Sequence, residues 1–466
     1  MWTRIKEARL CQLTINGIKN VENGVLNFVK TTPLKNIDQN ITDAGHVFGI
    51  YGQNGSGKTA AVDACWIIRQ MMLTESPFTE GYRSFNKKIK NLINSALRVA
   101  NIEALFYLKV DDQKMLINYA FEFQYDEANE TYFLSKEVLK RRLFQEERWG
   151  KEHTLIKSDY VSNKISIAGI RDTEKFEVVP KVLREKAPLS SVIFSETFRD
   201  FIPSKAGAKK DSFDLNTVLT ILKNFSYHYF LVVHNNDLGS GPFDLMTLIL
   251  ASEIEDTFLL GKYPLMYEGG KILEDHFPRF EHIVKQTSFV LNKIVPGSGI
   301  EIEKVDKKID EDQQTTILYE CFALRNGMRF SLSGESEGIK RLITLIGAFI
   351  AFANKKEMIL VIDEFDAGIF EYLFGEIVQA LDSCGEGQII FTAHNLRGLE
   401  TLPYKQIFFS TLNPSNVYER QTTQANNNNR TTYFRNLILG KDTGEVLGNL
   451  PSVVALKLAF KRANRL

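Results

Sequence analysis

"YGQNGSGKTA", residues 51–60, decides how the rest of the chain is read. Gly52, Gly57, Lys58 and Thr59 satisfy the spacing G-x-x-x-x-G-K-[ST] of a phosphate-binding loop. The apolar run "HVFGI" precedes the loop and "AVDACWIIRQMM" follows it, so the spacing predicts a strand before it and a helix after it. In that setting the backbone around Gly52, Gln53, Asn54, Gly55, Ser56 and Gly57 cradles the phosphates of a nucleoside triphosphate. Lys58 reaches the β- and γ-phosphates, and the Thr59 hydroxyl holds Mg²⁺. ATP and Mg²⁺ are therefore the expected ligands.

The bulk properties narrow the class. The 466 residues carry 57 Lys+Arg against 57 Asp+Glu, so only a local patch, not the overall charge, could bind nucleic acid. Cys11, Cys65, Cys321 and Cys384 are scattered without a C-x-x-C, which argues against a zinc site or a disulfide framework. The start, "MWTRIKEARL", is too charged for a secretory leader. The longest uncharged apolar stretch, "LITLIGAFIAFAN" (342–354), is too short to cross a bilayer. A buried core helix, no membrane contact and a cytoplasmic location are expected.

Along the chain, "ARLCQLTINGIKNVENGVLNFV" reads as two strands around a turn. Residues 101–134 alternate apolar and polar positions with turns at "DDQK" and "DEANE", the pattern of an antiparallel meander. The stretch 136–300 reads as mainly helical, broken at "IPSKAGAKKDS" and "NNDLGSGPFD". A helix, "PRFEHIVKQTSFVLNKIV", precedes strands "IEIEKVDKKI" and "TTILYECFAL". Then come a helix over about 336–354, strand "MILVID", a helix near 370–383, and strands "QIIFTAH" and "QIFFST". That alternation predicts a parallel α/β core.

Three further stretches classify the loop. In "MILVIDEFDAG" (358–368) an apolar strand, the kind buried on both faces, ends in Asp363 and Glu364. Carboxylates at such a strand end face the ligand crevice. Asp363 suits the Mg²⁺ shell, and Glu364 suits activation of the attacking water. In "FSLSGESEGIKRL" (330–342) Ser333 and Gly334 are read as opening a helix whose free N–H groups bind an anion. In "IIFTAHNL" (389–396) His394 ends another strand, placed near the γ-phosphate.

This order of P-loop, "LSGES", "ILVIDE", "FDAG" and "TAH" resembles the ABC-class ATPases, and within them the soluble SMC/RecF/OLD group, loosely called AAA family ATPases of bacterial defence loci. The resemblance covers roughly residues 8–135 and 300–412. It implies an α/β ATPase head, with a mixed parallel core sheet plus an antiparallel meander, carrying a mainly helical insertion. It also implies a homodimer or higher homo-oligomer that sandwiches ATP. Ser333 and Gly334 of one chain would then face the γ-phosphate held by the other, with Asp366 at the same interface. Glu335 stands where the group usually has a second glycine, and no glutamine is assigned to the Q-loop.

About 270 residues separate the P-loop from the signature. They hold no heptads, so a compact lid is expected rather than the long arms of SMC proteins. The 54 residues after Leu412 are too few for the Toprim nuclease domain of OLD proteins. The expected organisation is an N-terminal lobe at 1–135, the insertion at 136–300, a C-terminal lobe at 301–412 and an extension at 413–466. Three basic clusters (Lys136, Lys140, Arg141 and Arg142; Lys205, Lys209 and Lys210; Lys457, Lys461, Arg462 and Arg465) read as solvated helix faces, with a nucleic-acid or partner contact as the minority reading.

The reading that results is a nucleotide-gated sensor or scaffold. It resembles the ATPase half of two-gene antiphage systems, such as the PtuA family of Septu and retron systems or the AriA family of PARIS, with an effector nuclease or toxin in trans. The alternatives are a RecF-like repair ATPase that binds DNA directly, and a slowly hydrolysing scaffold stabilised by ATP.

Overall fold

The computed structural model describes residues 4–73, 80–171, 173, 176–202, 214–237, 245–254, 257–309, 314–421 and a few later positions. At its centre is a six-stranded sheet. In spatial order its strands are Phe230–Val233, Ile359–Ile362, Gln388–Ala393, Val47–Tyr51, Ile407–Ser410 and Tyr418–Arg420. The first five run parallel and the last is antiparallel.

The five parallel strands are buried along their length, and successive side chains point to opposite faces. Phe48, Ile50, Phe230, Val232, Ile359, Val361, Ile390 and Phe408 enter one hydrophobic core. Val47, Tyr51, Leu231, Val233, Leu360, Ile362, Ile389, Phe391, Ile407 and Phe409 enter the other. The helix after the P-loop, Lys58–Met72, packs into the first core together with an antiparallel sheet. Helices Phe277–Ile294, Glu337–Asn354 and Glu371–Cys384 pack into the second.

The antiparallel sheet contains the meander expected over 101–134, as strands Val99–Val110, Gln113–Asp126 and Thr131–Gln145, the last running on into the stretch read as helical, beside the opening strand Ile5–Asn16. The apolar stretch 342–354 lies within the buried helix Glu337–Asn354, as expected. Among the described residues no helix is long and apolar enough to cross a membrane.

The stretch 136–300 departs from the mainly helical expectation. It supplies strands His153–Asp159 and Lys164–Ile167 to the antiparallel sheet, a hairpin of Leu245–Ile254 with Thr257–Met266, and the edge strand of the core sheet, Phe230–Val233. Among its described residues the α-helices are Val178–Lys186, Glu196–Phe201, Leu215–His228 and Phe277–Ile294. Short apolar runs such as "FLVV" fit a buried strand and a buried helix equally well, and pairing with Ile359–Ile362 decides between them.

The first basic cluster is also corrected. Lys136, Lys140, Arg141 and Arg142 lie on the strand Thr131–Gln145, not on a helix face. Lys136 pairs with Glu122 and Lys140 with Glu152, each at 3.0 Å, while Arg141 is buried. Lys205, Lys209, Lys210, Lys461, Arg462 and Arg465 lie outside the described residues, and Lys457 is exposed.

Candidate functional site

Parallel strands put all their C-terminal ends along one edge of the sheet, and that edge collects the polar residues. Tyr51 leads into the P-loop, Val233 into His234 and Asn235, Ile362 into Asp363 and Glu364, and Ala393 into His394.

The loop is gripped from several sides. Asn20 donates to the Gly55 carbonyl at 2.6 Å, and the Tyr418 hydroxyl donates to the Gly57 carbonyl at 2.7 Å. The Ser56 hydroxyl meets that of Ser410 and donates to the Gln53 carbonyl at 2.7 Å. Gly52 has no room for a side chain between Ser410 and Ser56. Gly57, at φ 95°, takes the left-handed turn that starts the helix, a conformation glycine adopts without strain. No side chain caps that helix, and an uncapped helix start favours an anion.

Lys58 is buried and donates to the carbonyls of Gly52 (2.7 Å) and Gln53 (3.0 Å). Burial pushes its ammonium down to about 8, against the pull of Asp366, Glu364 and Asp363. The Thr59 hydroxyl donates to Asp363 Oδ1 at 3.3 Å, and Thr392 donates to the same oxygen at 2.7 Å. A hydroxyl and a carboxylate converging this way are hard oxygen donors that fit Mg²⁺, which takes few protein ligands and keeps its waters.

Glu364 sits at φ 47°. Its N–H donates to the Thr392 hydroxyl at 2.8 Å, and its carboxylate accepts from the Asn235 amide at 2.6 Å. Arg341, buried in the helix after the signature, donates to Asn235 Oδ1 (2.7 Å), to the Asp363 carbonyl (2.9 Å) and to the Glu364 carbonyl. The Asp366 carboxylate accepts from the N–H groups of His394 (2.9 Å) and Asn395 (2.6 Å) of its own chain. Partial burial, and then the Lys58 ammonium, push the His394 imidazole below the usual histidine value, while Asp366, Glu364 and Asp363 oppose them. The structure thus brings Lys58, Thr59, Asp363, Glu364, Asp366 and His394 to one edge.

The signature is placed differently from the sequence reading. Ser333 and Gly334 do not open the long helix. They lie exposed in a 3₁₀ turn, Leu332–Gly334, and Ser336 caps the helix by accepting from the Ile339 N–H. Serines at 331, 333 and 336 all suit a cap, and the letters do not say which one performs it. The Glu335 carboxylate is buried and takes both oxygens to Arg325, each at 2.9 Å. The Glu335 carboxylate is thereby turned into the fold, with the Arg325 guanidinium as its counter-charge.

Sequence reasoning missed His234, Asn235, Arg341 and Asp63. Asp63, one turn beyond Thr59, pairs with Lys19 at 2.6 Å and His234 at 3.0 Å. Burial raises its carboxyl, but His234 and Lys19 outweigh that and hold it below the ordinary value of 3.8. The signal for the strand-end pair was present. "FLVVHNN" (230–236) has the layout of "ILVIDE" (359–364), four apolar residues and then polar ones.

A phosphate loop between a parallel strand and an uncapped helix, with paired carboxylates on the next strand but one, defines an α/β P-loop nucleotide-binding protein. Residues 274–397 match the family model described as "AAA domain, putative AbiEii toxin, Type IV TA system". The matched segment holds the signature turn, the acidic strand end, Asp366 and His394; the P-loop lies before it. No curated relative is found by sequence.

Among solved structures, an SMC head bound to the C-terminal winged-helix domain of ScpA is 15% identical over 88% of this chain and 95% of that one, at a TM-score of 0.36. The SMC head domain from Thermotoga maritima is 14% identical over 89% of this chain and 100% of that one, at 0.33. The recombination mediator RecF with a bound ATP analogue is 13% identical over 89% of this chain and 98% of that one, at 0.37. The class assignment rests on the strand order and the site geometry.

Proposed function

We propose that this protein binds and hydrolyses ATP with Mg²⁺, in sites completed by a second copy, and that it acts in the cytosol as the nucleotide-gated sensor or scaffold of a two-component antiphage system, controlling an effector nuclease or toxin in trans. The observation that carries the ATPase reading is the meeting of Thr59 and Asp363 at 3.3 Å, with Glu364 beside them, although far apart in sequence. The defence reading draws support from the matched model, whose description names a toxin of a toxin–antitoxin system.

The chemistry follows from the side chains. The uncapped helix start and Lys58 bind and orient the triphosphate. On binding, the Lys58 ammonium exchanges the loop carbonyls for phosphate oxygens. Thr59 and Asp363 would hold Mg²⁺, which would neutralise charge on the phosphate oxygens. Glu364, acting as base, takes the proton of the attacking water. His394 faces the same edge with its ring neutral at pH 7, so one ring nitrogen accepts a hydrogen bond and the other donates one.

The test has two arms. The purified chain hydrolyses ATP with Mg²⁺, and Lys58→Ala loses that activity. Cells carrying the gene with its neighbours resist phage, and Lys58→Ala removes the resistance. Absence of ATP turnover overturns the enzymatic reading, and phage resistance unaffected by deleting the gene overturns the defence reading.

A further inference from the structure

The amide of Asn235 lies between a guanidinium and a carboxylate. Its Oδ1 accepts from Arg341 at 2.7 Å and its Nδ2 donates to Glu364 at 2.6 Å. A guanidinium only donates and a carboxylate only accepts, so the amide has one orientation that serves both. Aspartate at this position could not donate, and alanine could do neither. Arg341 is fixed in turn by the carbonyls of Asp363 and Glu364, and it sits on the helix that follows the signature turn.

From this arrangement we infer that Asn235, gripped by Arg341, is a positioning residue for ATP hydrolysis: it fixes the Glu364 carboxylate where it meets the attacking water. The inference rests on the reading of Glu364 as the base and goes beyond it, because it assigns a role to the end of the edge strand Phe230–Val233. The role assigned to Asn235 is to aim the carboxylate rather than to hold phosphate. It joins the helix carrying Arg341 to the carboxylate, so the base keeps its aim only while the strand ends and that helix hold their relative positions.

The experiment measures kcat, ATP affinity (titration with a fluorescent ATP analogue) and melting temperature for Asn235→Ala, Asn235→Asp and Glu364→Gln, alone and combined. Asn235→Ala lowers kcat about 10- to 100-fold, the scale of a misplaced catalytic group. Its ATP affinity and melting temperature stay near wild type. Asn235→Asp is impaired at least as much. Asn235→Ala costs nothing further on top of Glu364→Gln, because there is no longer a base to aim. Wild-type kcat in Asn235→Ala, or losses that multiply in the double variant, overturns the inference and leaves the ATPase reading standing. Wild-type kcat in Glu364→Gln, or a wild-type chain that binds ATP without hydrolysing it, overturns both.

Discussion

Glu364 is held in a conformation that few non-glycine residues adopt, with φ at 47°. Such strain costs on the order of 1–3 kcal/mol and persists only where the surroundings enforce it. Here Thr392 takes the N–H, Arg341 takes the carbonyl and Asn235 takes the carboxylate. Every polar group of the residue is used to fix its direction, which suits the role of base proposed for it. Glu364→Gln keeps the shape and removes the basicity, so ATP binding persists while turnover falls by roughly 10²-fold or more. Binding and turnover measured side by side check this, and unchanged turnover would remove Glu364 from the mechanism. The contrast between Glu364 and Asn235 shows what a sequence discloses at this scale. Glu364 was legible because two acids end an apolar strand behind a P-loop. Asn235 was not, because an amide is recognised only by the two charges it bridges, and Arg341 lies 106 positions away.

At the scale of elements, the helix Lys58–Met72 carries the loop's last residues and is anchored by Asp63. Asp63 joins Lys19, after the opening strand, to His234, at the end of the edge strand. Its carboxyl is held below 3.8 in the folded protein, so ionised Asp63 contributes stability above that value and loses it as pH falls through the lower folded value. Asp63→Asn is therefore less stable than wild type at pH 7, by about 2 kcal/mol, the worth of charged hydrogen bonds. The gap closes on acidification below about pH 4. Denaturant unfolding at pH 7 and below pH 4 measures it; a gap that persists unchanged at the lower pH argues against the charge as its source. The helices Phe277–Ile294 and Glu337–Asn354 and the strand Ile359–Ile362 were readable from apolar period and length. Phe230–Val233 was not. It begins two residues after the helix Leu215–His228, with no glycine or proline between them to mark the change.

For the whole molecule, the exposed Ser333 and Gly334 of the turn Leu332–Gly334 offer a test of the proposed shared site. If Ser333 serves the nucleotide of a partner chain, Ser333→Arg leaves ATP binding at its own P-loop intact and blocks closure. Mixing it with Lys58→Ala then restores part of the activity, because one site of a mixed dimer pairs an intact loop with an intact signature. ATPase rate across a titration of the two variants passes through a maximum; a flat baseline with both proteins folded counts against the shared site. The sequence conveyed the parallel core but not its order, because order is set by pairing between distant segments. That order has a consequence for how the protein is made. The strand Val47–Tyr51, which feeds the P-loop, lies between Gln388–Ala393 and Ile407–Ser410, both drawn from the far end of the chain. During synthesis the loop leaves the ribosome hundreds of residues before either neighbour exists. The nascent chain must hold an apolar strand without partners, a slow and aggregation-exposed stage of folding. Competence to bind nucleotide then arrives all at once, when the last core strands dock. A fragment of residues 1–357 contains the entire P-loop motif and should bind no ATP in a filter or fluorescence assay, whereas full affinity in that fragment would show that the loop forms without its neighbours. If that fragment fails to bind, occupancy by ATP would report that synthesis has run through the final core strands, and a ribosome that stalls early would release a product blind to the nucleotide.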